Sequence, residues 1–370
     1  MLVAPDDAMD ADWTDPPLWS TAPITVHEER PRLAWITSPP GLQSGGHQNM
    51  FRFIKYAEDA GYRCTVYLYD AQGLGVRERD VSAMIASSDA YANLDGAIQQ
   101  YDRTRGVDEC DAIVATGWET AYASYLDPSL ARRFYFVQDF EPSFYPAGTE
   151  YVLAENTYRF GFRGLTAGAW LATMLAERYG MASDHYDFGA DSALYRVTNQ
   201  GSRDGVFFYA RPVTPRRAFE LGVMALERFA SERPDATIHL AGEQFARSRV
   251  PFAHVSHGSL PLHALNEVYN ECAAGLVLSL TNMSLLPLEL LAAGVTPVIN
   301  DGPNNRLVAS PDAFAWTPMS VPAIARTVLR AFDEARDGSR AASNSSQTPH
   351  TNWDDAGAQF IRALDAHMQR

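Results

Sequence analysis

Four short stretches of this chain carry residue types suited to an anionic or hydroxylated ligand, and each follows an apolar run. The first holds three arginines, Arg211, Arg216 and Arg217, just after VFFYA (206–210). Arginine binds phosphate in a bidentate fork, and a helix N-terminus adds favourable backbone dipoles, so the spacing suits a diphosphate. Arginine also runs against the usual preference for acidic residues in a first helical turn. Surface arginines are the plainer alternative, because Lys55 is the only lysine among 30 basic residues.

The second stretch, TNMSLLPLELLAAG (281–294), places Glu289 in an otherwise apolar helix after GLVLS (275–279). An unpaired buried carboxylate is costly, so Glu289 needs a partner: a sugar diol, or a backbone cap. The turn before it, with Asn282, Ser284 and Leu285, can present main-chain donors to phosphate. The third stretch is Ser44-Gly45-Gly46-His47-Gln48, after LAWIT (33–37). Its adjacent glycines let the backbone approach a ligand closely, and a purely structural turn is the alternative. The fourth is QDFEP (138–142), where Asp139 and Glu141 are candidate contacts to a hydroxylated ligand, or a helix cap and a solvated charge.

Short apolar runs alternating with helix-period segments must position these turns. LAWIT, TVYLY (65–69), AIVAT (112–116) and FYFVQ (134–138) recur in the first half. VFFYA, TIHLA (237–241), GLVLS and VTPVI (295–299) recur in the second. Strands apolar on both faces and separated by helices indicate parallel sheets covered on both sides. The predicted helices include 49–60, closed by Gly61; 215 to about 229, capped by Thr214 with Pro215 at its first position; 262–271; 287–293, closed by Gly294; 321–335; and 353–368.

The fold class expected is α/β, with two doubly wound Rossmann-like domains facing across a cleft. Residues 1–30 read as an acidic tail or arm. Residues 31–198 form the first domain, with 353–368 packing back on it. Residues 199–337 form the second, after a polar joint at 198–205, and 338–352 read as a flexible linker by composition.

Composition excludes several function classes. A net charge of −15 argues against nucleic acid and against a polybasic membrane anchor, leaving at most a weak peripheral membrane contact. Three distant cysteines exclude a disulfide scaffold and fit a reducing cytosol. The acidic start does not resemble a leader, and no apolar run approaches a membrane span, so a cytoplasmic protein is expected. A nicotinamide fingerprint, a zinc-protease helix, a nucleophile elbow and a P-loop are all lacking. No D-x-D pair stands at a strand end to hold a metal, so none is expected.

With these residues in hand, PLELLAAG followed by an apolar strand resembles the donor-binding segment of family-four retaining glycosyltransferases of the GT-B fold. Those enzymes usually carry two glutamates separated by seven residues. Glu289 matches the second, and Thr281 stands at the first, a departure from the pattern. Three further blocks, FVQDFEPSFYPAGTEYVLAENTYRFGF (136–162), TAGAWLA (166–172) and FYARPVTPRRAFELG (208–222), are similar to WsaF-type rhamnosyltransferases. The likeness covers most of residues 31–335.

The resemblance implies transfer of a 6-deoxyhexose, rhamnose, from a TDP-sugar to a glycan or lipid-linked glycan, with retention and no further cofactor. It implies that Arg211, Arg216 or Arg217, Asn282, Ser284 and Leu285 hold the nucleotide diphosphate and that Glu289 holds the deoxyribose. Gly45, Gly46 and Glu141 would bind the acceptor, with His47 and Asp139 as candidate catalytic groups and Asp139 the base if the reaction inverts. Three alternatives stand beside this: a different UDP- or GDP-sugar, a sugar-nucleotide epimerase that uses no nicotinamide, and a catalytically silent glycan-binding subunit.

Overall fold

The computed structural model describes residues 3–21, 30–42, 44–191, 193–309, 311–349 and 352–368. The chain divides into two compact units, one of residues 1–187 with 356–370 and one of residues 188–355. Each is a parallel sheet wrapped by helices.

The first unit contains strands β1 (Arg32–Thr37), β2 (Arg63–Leu68), β3 (Ile98–Gln100), β4 (Ala112–Ala115), β5 (Arg132–Val137), β6 (Arg163–Ala167) and β7 (Ser183–Tyr186). Their order in the sheet is β3-β2-β1-β4-β5-β6-β7, parallel throughout. Its helices are α1 (Pro5–Asp10), α2 (Gly45–Asp59), α3 (Glu78–Ala86), α4 (Trp118–Leu126), α5 (Thr149–Asn156) and α6 (Ala169–Tyr179). Strand order reverses between β1 and β4, and a doubly wound sheet offers its ligand crevice at the carboxyl ends of such a pair. Trp35, Ile36, Val114, Tyr135 and Phe136 are fully buried, as strands covered on both faces require.

The second unit contains β8 (Gly205–Ala210), β9 (Thr237–Gly242), β10 (Val255–Gly258), β11 (Cys272–Val277), β12 (Thr296–Asn300) and β13 (Ala315–Thr317). Their order is β10-β9-β8-β11-β12-β13, so the reversal falls between β8 and β11. The accompanying helices are α7 (Phe219–Glu232), α8 (Leu262–Glu271), α9 (Leu286–Ala292), α10 (Pro303–Arg306), α11 (Val321–Ala335) and α12 (Ala341–Ser346). The last helix, α13 (Trp353–Met368), returns its larger part to the first unit, where Phe360 packs against Trp35, Phe53 and Phe136.

Four boundaries differ from the sequence expectation. Residues 1–30 are not a loose tail where they are described. Asp7 is buried, accepts from the Tyr69 hydroxyl and pairs with Arg103 at 2.8 Å, and the Trp19 indole donates to the Tyr125 carbonyl at 3.0 Å. The polar stretch 198–205 is not the joint, because the units part at residue 187. Asn270 holds the Thr198 and Asn199 N–H groups, and the buried Arg203 guanidinium donates to the Asn199 and Ala293 carbonyls. The supposed linker carries α12. Asn344 is buried there and donates to the Gly294 carbonyl and the Thr296 hydroxyl, while Ser345 donates to the Ala292 carbonyl. Gly294 sits at φ +83, and a Cβ there would lie 2.8 Å from the Ala341 carbonyl, so this glycine both ends α9 and admits α12.

The fourth difference bears on the arginines. Pro215–Arg217 form a separate 3-10 turn, Thr214 makes no side-chain cap, and α7 begins only at Phe219. Ala218, at φ +48, breaks the two apart. A left-handed alanine carries a steric cost of ~1–2 kcal/mol, so the surrounding loop must impose it.

Candidate active site

The carboxyl ends of β8 and β11 bring one set of predicted residues together. Arg211 follows β8 directly. Its guanidinium donates to the Tyr209 hydroxyl at 3.3 Å and lies 3.7 Å from the Glu243 carboxylate, which follows β9. Arg217 instead reaches into the loop after β11, donating to the Ser279 hydroxyl at 2.6 Å and the Asn282 carbonyl at 3.3 Å. The Ser279 hydroxyl donates in turn to the same Asn282 carbonyl at 2.6 Å.

Two asparagines, Asn300 at the end of β12 and Asn304 in α10, complete the clamp. Asn300 bonds both the N–H and the carbonyl of Ser279 at 2.8 Å each, and Asn304 donates to the Ser279 and Thr281 carbonyls. The loop at 279–282 is therefore fixed by side chains from two neighbouring segments. Arg216 contributes its carbonyl, which accepts from Leu280 N–H at 3.0 Å.

Against this satisfied scaffold stand polar atoms with no partner. Arg211 Nε, Glu243 Oε2, Thr281 Oγ1 and Ser284 Oγ are all buried without a hydrogen bond. Leaving such an atom unpaired costs roughly 1–3 kcal/mol, so several at one set of strand ends mark a surface built for a ligand. Glu289 lies one helical turn beyond Leu285. Burial pushes its carboxyl up to about 7, while the Tyr269 hydroxyl, donating to Oε2 at 3.3 Å, leans the other way. Near neutrality this group can accept or donate a hydrogen bond, which suits a sugar hydroxyl.

The carboxyl ends of β1, β4 and β5 gather a second set. Gly45, Gly46 and His47 form the first turn of α2 itself, so the glycines open the helix and are not a loop before it. His47 Nε2 lies 3.2 Å from the Ser38 carbonyl and Nδ1 lies 2.7 Å from the Ser44 hydroxyl. A carbonyl can only accept, so Nε2 carries the hydrogen and Nδ1 accepts from Ser44. Burial pushes His47 below its usual range, keeping the ring neutral. With both nitrogens engaged, His47 is placed as a structural tie between the β1 loop and α2. Asp139 is buried and accepts from the Phe140 N–H at 2.8 Å, closing its own turn.

Glu141 is the deeper carboxyl. Its Oε2 accepts from the Trp118 N–H at 2.6 Å and the Tyr135 hydroxyl at 2.9 Å. Burial pushes it up to about 8, helped by the charge of Glu119. Glu119, in the first turn of α4, is itself raised by burial.

These two sheets and their strand-end sites can be set beside known proteins. Residues 75–166 match the WsaF N-terminal domain and residues 204–329 match the WsaF C-terminal domain. The chain belongs to the WsaF family. Its fold is GT-B.

The O-antigen biosynthesis protein RfbC of Myxococcus xanthus is 34% identical over 350 residues, 89% of this chain, and the chain spans 26% of that longer protein. Three solved structures share the fold at low identity. HepE of Anabaena, in complex with UDP and glucose, matches with a TM-score of 0.65 at 14% identity, covering 91% of this chain and 100% of its own. TarM of S. aureus, in complex with fondaparinux, α-GlcNAc-glycerol and UDP, matches at 0.70 and 6% over 91% and 100%. The pneumococcal O-GlcNAc transferase GtfA, with UDP and GlcNAc, matches at 0.66 and 9% over 93% and 100%.

In this WsaF-family fold Arg211 follows β8, and Arg217 ties into the segment after β11 that carries Asn282, Ser284, Leu285 and Glu289. Gly45, Gly46 and His47 open α2 after β1, and Asp139 and Glu141 follow β5. The sequence reading missed Glu119, Tyr209, Glu243, Tyr269, Ser279, Asn300 and Asn304. A usable signal existed for two sets of them, because Gly-Trp-Glu follows AIVAT and Asn-Asp-Gly-Pro-Asn-Asn follows VTPVI, both at strand ends. Among the described residues no group of three His, Cys, Asp or Glu side chains could hold a metal ion, and no helix is long and apolar enough to cross a membrane.

Proposed function

We propose that this glycosyltransferase moves a 6-deoxyhexose, rhamnose, from a TDP-sugar to a hydroxyl of a glycan or lipid-linked glycan, with retention of configuration. The observation that carries the donor site is the group of unpartnered buried atoms, Arg211 Nε, Thr281 Oγ1 and Ser284 Oγ, on a loop otherwise locked by Arg217, Asn300 and Asn304. Arg211 neutralises the charge that builds on the leaving diphosphate, which is where a preorganised cation is most effective. Arg217 acts one step back, holding the loop whose polar groups face the donor. Glu289 takes a deoxyribose hydroxyl.

Thr281 and Ser284 bring hydroxyls, not carboxylates, to the sugar. That supports a donor with few hydroxyls to satisfy, as in a 6-deoxyhexose. The leaving phosphate accepts the acceptor's proton, so no side-chain base is required, and the β1–β4 crevice binds the acceptor.

UDP is bound in the HepE and GtfA crystals, so a UDP-sugar is the reading to test against. The purified chain would be supplied with TDP-rhamnose, UDP-glucose or GDP-mannose and the released diphosphate measured by coupled assay, with the anomeric product followed by NMR. TDP release from TDP-rhamnose alone, giving a product with the donor's own anomeric configuration, supports the proposal. UDP release in its place keeps the transferase and discards rhamnose. Interconversion of a nucleotide sugar without acceptor would reassign the chain to epimerisation.

A further inference from the structure

The buried carboxyl Glu141 has no part in donor binding, and its geometry is unusual. It is 6% exposed, and both protein hydrogen bonds it accepts, from Trp118 N–H and the Tyr135 hydroxyl, end on Oε2. With that oxygen doubly occupied, a proton on the carboxyl resides on Oε1, which has no protein partner. Glu119 stands beside it on the adjoining peptide. Its carboxylate folds back over Gly117, where a Cβ would come within 3.1 Å of Oε2, so glycine at that position leaves room for the carboxylate at the end of β4.

Glu119 follows β4, one strand of the pair at which the sheet order reverses and a doubly wound sheet leaves a crevice, and Glu141 follows the neighbouring β5. The groups that bear on them are Ser38 after β1, Tyr135 on β5, Asp139 in the following turn, and Tyr145 and Tyr158 beyond it. His47, tied to Ser38, is neutral. No cation appears among them, so two ionised carboxylates would repel with nothing to offset the cost.

Building on the acceptor assignment above, we propose that Glu119 and Glu141 form a hydroxyl-binding subsite of the first unit. Oε1 of Glu141 donates to an acceptor hydroxyl oxygen and Glu119 receives that hydroxyl's hydrogen. A donor and an acceptor side by side match a sugar hydroxyl, which needs both, and they reject an anionic ligand. The acceptor is thereby specified as a neutral sugar at its reacting end.

The test uses the full chain labelled with carboxyl ¹³C-glutamate, with resonances assigned by Glu119→Gln and Glu141→Gln. One glutamate should titrate with a midpoint near 8 and vanish in the Glu141→Gln spectrum. Methyl α-L-rhamnoside, methyl α-D-glucoside and methyl α-D-galactoside are then added at saturation. At least one should shift both carboxyl carbons at pH 7, and Glu119→Gln should weaken its binding by about tenfold. Glu141→Gln cannot ionise, so the glycoside binding it keeps should lack the wild-type loss above pH 8.

The proposal is overturned if Glu141 titrates with the exposed glutamates, or if none of the glycosides moves either carbon. TDP binding in the same samples separates the two claims. Lost nucleotide binding with an intact carboxyl pair removes the donor reading, and the converse removes this one.

Discussion

The two units share one architecture and present opposite chemistry at the same place. At the β8–β11 reversal stand Arg211 and Arg217, with a loop of hydroxyl and amide groups. At the β1–β4 reversal stand Glu119, Asp139 and Glu141, tyrosines and a neutral histidine. A parallel sheet supplies the crevice in both cases, and only the few residues after each strand decide what it binds. The cationic crevice suits a nucleoside diphosphate, and the anionic one suits sugar hydroxyls and disfavours phosphate.

The contrast is most easily broken where the loop is clamped. Asn300→Ala removes the partner of the buried Ser279 N–H and one of the two donors to its carbonyl, and should cost about 2–3 kcal/mol of stability in the second unit together with nucleotide binding. Urea unfolding and calorimetry on the same preparation would measure both. Unchanged unfolding would mean that the loop is not held as described.

Glu141→Gln sharpens the other side. The folded-state value of about 8 lies above the ordinary 4.5, so the folded unit binds more protons than the unfolded chain between those pH values. This carboxyl's contribution to stability is therefore fully present below about 4.5 and is lost as pH rises through about 8. Glutamine keeps the Oε2 acceptor and cannot ionise, so the variant should lack this loss and exceed wild type at alkaline pH, by an amount on the order of 2 kcal/mol. Melting temperatures across pH 5–9 would show a gap that widens with pH; a constant gap contradicts the buried-carboxyl account.

Arg211→Ala should weaken TDP binding roughly 10- to 100-fold while leaving the melting temperature close to wild type, because its ionic partner among the described residues is the half-buried Glu243. The smallest effect falls outside both crevices. Asn344→Ala loosens α12 from Gly294 and Thr296 and should cost about 1 kcal/mol without altering nucleotide affinity.

Strands and long helices were legible because their apolar period is strong. Residues 262–271, 321–335 and 353–368 match α8, α11 and α13 end to end. The short edge strands β3 and β7 were not, since Ile98–Gln100 and Ser183–Tyr186 carry almost no apolar pattern. Low-complexity composition misled at 338–352, where small polar residues form a helix because Gly294 leaves room and Asn344 finds buried partners.

In the sites, charged residues at strand ends stand out in the sequence, but their different contacts do not. Arg211 and Arg217 look alike in sequence, and only the structure shows that Arg217 holds the Ser279–Asn282 loop while Arg211 meets Tyr209 and Glu243. Glu119 was passed over because a single acidic residue at a helix start reads as dipole stabilisation.

The account rests most directly on the β8–β11 crevice being a nucleotide site. Calorimetric titration of TDP, UDP and GDP into wild type, Arg211→Ala and Glu289→Ala would decide it. TDP binding that exceeds UDP and GDP in the wild type and collapses in both variants is the result predicted. Folded wild type that binds none of the three would contradict the account.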